Sequence, residues 1–126
     1  MKLLFLFLFI LGSFTITLAE KRDVKKELYQ ILTTEAPNKM CQPNMMYREC
    51  YKVSADECHD IMYMSFRGCF KTYENNISND LTLNQLSKTG GTIGECAGMI
   101  YDIILTKASK RDTECLKNPK WKKMLQ

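Results

Sequence analysis

The chain is poor in the residues on which most catalysis depends. It has one histidine, His59, so any Ser- or Cys-based triad would have to be built on that single imidazole. No Gly-x-Ser-x-Gly turn occurs, so the strained elbow that presents a nucleophilic serine is missing. No Cys-x-x-Cys pair occurs either, and with a lone histidine a zinc cage would need unusual ligand spacing. Runs that alternate β-branched and polar residues are missing, which argues against a sheet. After residue 19 no apolar stretch approaches the ~20 residues that a membrane-spanning helix requires.

What is present begins with the three parts of a secretory signal. Lys2 supplies the positive start, and Leu3 to Leu11 is an unbroken apolar run. Thr17-Leu18-Ala19 then places small residues three and one before a cut ahead of Glu20. Residues 1–19 therefore read as a signal peptide and residues 20–126 as the mature domain, secreted or periplasmic. No integral membrane segment is expected after cleavage. Without Lys2 the remaining 17 basic residues face 14 acidic ones. Lys107, Lys110, Arg111, Lys117, Lys120, Lys122 and Lys123 crowd the C-terminal end, opposed there by Asp112 and Glu114 alone. Such a tail suits contact with an anionic surface. Export and modest net charge make nucleic acid a poor partner.

All six cysteines (Cys41, Cys50, Cys58, Cys69, Cys96 and Cys115) lie in the mature domain. An even count in a short exported chain reads as a disulfide framework, because a domain this small buries a limited core in an oxidising compartment. Six cysteines allow about 15 pairings, and helix geometry removes one contact from them. Cys58 and Cys69 are eleven residues apart on one helix, which is about 16.5 Å of rise. A disulfide needs Cα atoms within about 7 Å, so these two must each bond elsewhere.

The rest of the pattern predicts an all-α, single-domain bundle of about five helices. Val24, Leu28, Ile31 and Leu32 fall at helical spacing within 21–35, and Pro37 is expected to end that helix. A short helix over 44–52 follows. Ser54 and Glu57 form a capping box that starts a long helix running to about Glu74. On it Cys58, Met62, Phe66, Cys69 and Tyr73 share one face, within about 80° at 100° per residue. Residues 75–80 read as a loop holding the sequon Asn76-Ile77-Ser78, which matters only in a eukaryotic host. Thr82 and Gln85 form a second capping box. Gly90-Gly91 is expected to interrupt, with Thr92 and Glu95 starting a new helix to about 108. That helix is apolar on two sides: Gly94, Ala97, Gly98, Tyr101 and Leu105 on one, Cys96, Met99, Ile100, Ile103 and Ile104 on the other. It is expected to be central, with the glycines marking a close helix contact. Asn118 and Pro119 start a last helix, docked by Trp121 and Leu125. The methionines Met40, Met45, Met46, Met62, Met64, Met99 and Met124 read as gap-fillers in a core.

One motif carries possible chemistry. His59-Asp60-Ile61-Met62-Tyr63 resembles the His-Asp-x-x-Tyr catalytic helix of secreted phospholipases A2. The resemblance implies His59 as general base and Asp60 as a calcium holder, in a calcium-dependent phospholipase A2-like hydrolase. It spans these five residues. The glycine-rich calcium loop of that family has no counterpart, since residues 20–58 contain no glycine, and Cys58 stands directly against His59. The residues favour a non-enzymatic binding module, an inhibitor or immunity-type protector that recognises another protein. No catalytic, metal-binding or cofactor-binding residue is assigned on that reading, and no cofactor is expected. A carrier of a small apolar ligand is a further alternative.

Overall fold

The computed structural model describes residues 22–123. The expected signal peptide and Leu125 lie outside the described residues. The chain between is helical, joined by short loops and, among the described residues, one antiparallel bridge between Tyr51 and Arg111.

Helix α1 (Val24–Gln30) starts where the Asp23 carboxylate accepts from the Lys26 amide. It does not stop before Pro37. The backbone widens into a π-helical turn over Ile31–Glu35 and continues as α2 (Ala36–Met40). In the widened turn the Ala36 amide reaches back to the Ile31 carbonyl, and Pro37 sits in the first turn of the next segment. There its missing N–H costs least, so a proline expected to end the helix is absorbed by it. Buried Thr33 helps by donating its hydroxyl to the Tyr29 carbonyl at 2.7 Å. Ile31 faces outward, 47% exposed, although the spacing assigns it to the core.

After the one-turn helix α3 (Met46–Glu49), α4 (Ala55–Tyr73) is the spine. The Ser54 hydroxyl accepts from the Glu57 amide, but the capping box is only half made. The Glu57 carboxylate instead pairs with Lys110 across the molecule. A single 3-10 turn (Glu74–Asn76) closes the spine and leaves Asn76 exposed beside buried Ile77. Helix α5 (Leu83–Lys107) begins with the complete Thr82–Gln85 capping box and runs for 25 residues, about 37 Å, straight through Gly90-Gly91. Two glycines cost about 1 kcal/mol each against alanine, which lowers helix propensity without breaking the hydrogen-bond ladder as proline would. Burial of Ile93, Ala97, Tyr101 and Leu105 holds the helix together beyond them. Short helices α6 (Thr113–Leu116) and α7 (Pro119–Lys122) finish the fold, and Trp121 plugs the core at 1% exposure.

Spine and α5 lie antiparallel: Glu57 meets Lys110 at one end and Cys69 bonds Cys96 towards the other. The other bridges join Cys41 to Cys58 and Cys50 to Cys115. The spine is thus pinned at two heights to two different partners, as its geometry demands. All six cysteines are paired. The expectation that α5 is buried on both sides is not met. Ala97, Tyr101 and Leu105 on one side enter the core, whereas Met99, Ile103 and Ile104 are 65%, 46% and 37% exposed. On that second side Cys96, held to the spine by its bridge, and Ile100 are partly buried and pack against the core. The described domain supplies no further helix to cover the face.

Candidate functional site: a methionine-lipped groove

A groove of about 720 Å³ opens where α2, α3 and the bridge strand segment face the middle of α5. Its floor is the glycine edge of α5. Nothing approaches within 4 Å of where a Cβ would stand on Gly91 or Gly94, so this edge is open rather than covered by a neighbouring helix. Gly98, one turn further on, is different: a Cβ there would sit 2.8 Å from the Tyr47 hydroxyl oxygen. Close packing explains Gly98, and the open groove surrounds the other two. Consequently Gly94→Ala is expected to stabilise the protein by up to about 1 kcal/mol through helix propensity. Gly98→Leu, which must evict the Tyr47 ring, is expected to cost about 1–3 kcal/mol. Urea unfolding of the two variants checks this, and shifts of the same sign would contradict the assignment.

One wall is aromatic. Tyr47 and Tyr51 stack at 6.5 Å with 12° between their planes, and Tyr101 meets both edge-on at 5.3 Å and 5.2 Å. The Tyr101 hydroxyl donates to the Tyr47 carbonyl at 2.7 Å, which fixes the α3 turn against α5. Backbone pairing of Lys52 with Lys110 and of Asp112 with Cys50 brings Arg111 to the far end. There the Asp102 carboxylate accepts from the Tyr51 hydroxyl at 2.6 Å and pairs with Arg111 at 3.2 Å. Burial, then the hydrogen bond to Asp102, pushes the Tyr51 phenol well above its ordinary range. Burial raises Tyr101, with the Glu57 charge adding to it, and burial followed by Asp102 raises Tyr47. All three rings stay protonated at neutral pH, and the Tyr51 and Tyr101 hydroxyls serve as hydrogen-bond donors.

The lips are methionines. Met40, Met46 and Met99 line the opening. Met62 fills the core, fully buried, Met40 and Met46 are partly buried against it, and Met64 is 59% exposed. Gap-filling accounts for Met62 and in part for Met40 and Met46, and not for Met64 or Met99. Sequence reasoning missed this site, although Gly91, Gly94 and Gly98 share one helix face and Met46-Tyr47 stands close to Tyr51 in the chain.

The sequence-derived candidates lie elsewhere. His59 is half-buried and Asp60 exposed on the first turns of the spine, and neither borders the groove. Among the described residues neither side chain takes part in an ion pair. The described residues contain no cluster of three or more His, Cys, Asp or Glu side chains placed to hold a metal ion. No described helix is long and apolar enough to cross a membrane. The basic C-terminal end is less free than its composition suggests. Lys110, Arg111, Lys117 and Lys120 pair with Glu57, Asp102, Glu114 and Glu49.

No curated protein and no solved structure matches the chain. The family described as T2SS substrate NttA matches residues 23–109, from the Asp23 cap of α1 through the end of α5. That segment contains the spine, α5, two of the three bridges and the glycine floor of the groove. Six paired cysteines and membership of a secreted-substrate family agree with each other, because disulfides persist where the compartment is oxidising. The chain belongs to the family of T2SS substrate NttA and is an exported protein.

Proposed function

We propose that the protein acts outside the cell, after removal of residues 1–19, as a non-enzymatic binding module that recognises another protein through the groove. The supporting observation is the lining: three methionines around an open glycine floor, backed by a hydrogen-bonded tyrosine wall. Unbranched, polarisable methionines adapt their shape to an incoming apolar side chain, whereas the tyrosines and bridges hold the frame rigid. Bare glycine backbone lets a partner segment approach α5 closely. The exposed Met99–Ile103–Ile104 face continues the apolar surface beyond the groove, which suits a protein partner better than a small enclosed ligand. A module of this kind acts by occupying its target, as an inhibitor or protector does.

Nothing lies within 4 Å of a Cβ at Gly94, so Gly94→Trp places its ring in the groove, and its melting is measured beside its binding to separate the two. Wild-type protein, Gly94→Trp and His59→Ala are used as bait for secreted and envelope proteins, and retained proteins are measured by mass spectrometry. A partner retained by wild type and His59→Ala, but lost with Gly94→Trp, is the expected result. The three proteins are also assayed on phospholipid with and without calcium. Calcium-dependent hydrolysis that disappears in His59→Ala would replace the binding reading with the hydrolase.

A further inference from the structure

A second concavity of about 500 Å³ lies between α1 and the later half of the spine, and it shares no residue with the groove. Its floor is aromatic: Tyr29 meets buried Phe70 edge-on at 5.0 Å. Lys25 and Lys26 stand on one wall, Arg67 and Lys71 on the other. None of these four cations takes part in an ion pair among the described residues, in contrast to most of the C-terminal cations. Of the two carboxylates at the rim, Asp23 caps α1 through the Lys26 amide at 3.1 Å, which leaves Glu74 as the other acid. The lining sets four cations against two carboxylates around an apolar floor, a net positive charge that favours an anionic ligand.

The arrangement also says what kind of anion fits. Arg67 and Lys71 are one helical turn apart, about 6 Å along the axis, and the lysines belong to a different helix. A single compact anion has no apolar part to place on the Tyr29–Phe70 floor. A bilayer surface presents anionic headgroups with no apolar side chain between them. Separated carboxylates on either side of a large apolar side chain reach both walls and cover Tyr29 and Phe70 at once. We infer that this cleft binds an acidic peptide segment of a partner protein, seating an aromatic side chain on Tyr29 and Phe70 between carboxylates held by Lys25, Lys26, Arg67 and Lys71.

The test is titration of the oxidised mature protein with a labelled hexapeptide alternating Glu and Phe. A Gln/Phe peptide and vesicles of phosphatidylcholine with phosphatidylserine serve as comparisons. The Glu/Phe peptide is expected to bind about tenfold or more tightly than the Gln/Phe peptide, and to weaken as salt rises. The Tyr29 and Phe70 ring resonances should shift on binding. Arg67→Glu with Lys71→Glu should lose about tenfold or more of the affinity with unchanged melting, since both side chains are exposed. The milder pair Lys26→Gln with Lys71→Gln should show a smaller loss in the same direction. Gly94→Trp should bind the peptide as wild type does, which separates this cleft from the groove. Equal affinity for the two peptides would overturn the inference. So would undiminished binding by the charge-reversed protein, or displacement of bound peptide by the anionic vesicles.

Discussion

Replacing Cys50 and Cys115 together with alanine is expected to destabilise the protein by about 4 kcal/mol, the largest loss among the three bridges. The reason is the length of chain each bridge closes. Cys50 and Cys115 are 65 residues apart, Cys69 and Cys96 are 27, and Cys41 and Cys58 are 17. A cross-link restricts the unfolded chain more the longer its loop, so the other two losses should be about 3.5 and 3 kcal/mol. The native state adds to this ranking. Cys115 lies in α6, and its bridge ties the segment that carries Arg111 and Trp121 back to the start of the spine. Removing both partners avoids a stray thiol. Since a domain of this size holds about 5–15 kcal/mol in all, the Cys50–Cys115 variant should melt far below wild type. Urea unfolding of the three double variants checks the order, and a largest loss at Cys41–Cys58 would contradict it.

Trp121→Ala is expected to cost about 3–5 kcal/mol. Its ring is 1% exposed, among the largest fully buried side chains of the described domain, and it comes from a one-turn helix near the end of the chain. So short a helix has no stability of its own. The Asn118 side chain caps it through the Lys120 amide at 3.0 Å, and Lys120 lies 4.2 Å over the indole while pairing with Glu49 at 3.0 Å. These surface contacts are weak, so burial of the ring supplies the docking energy. Leu83→Ser, at a position 79% exposed, should stay within about 0.5 kcal/mol of wild type. Thermal unfolding compares them, and a Trp121→Ala loss below about 1 kcal/mol would mean that the C-terminal segment is not part of the cooperative core.

Local signals proved strong in this chain. Ser54, Thr82 and Asn118 each cap a helix as their positions imply, because a cap depends only on the next three amides. The bar on Cys58 bonding Cys69 also follows from one helix alone. Where the reading failed, a local signal met a longer-range force. Pro37 and Gly90-Gly91 are helix-breaking cues, yet helical backbone passes through both, since Pro37 is itself buried between Leu32 and Cys41, and Ile93 and Ala97 are buried just after the glycines.

By itself, then, the sequence determined an all-helical, disulfide-stapled domain, the starts of its main helices and the pattern of an exported protein. Each of these rests on neighbours within a few turns or on composition. Tertiary structure decided which cysteines meet, which apolar face of α5 is buried, and that Met40, Met46 and Met99 frame an opening while Met62 fills the core. Two faces of one helix can be equally apolar, and periodicity does not rank them. The face that is covered is the one another element can reach, and here the spine and the Tyr47–Tyr51 segment take the side of Ala97 and Tyr101 and leave Met99 and Ile103 in water.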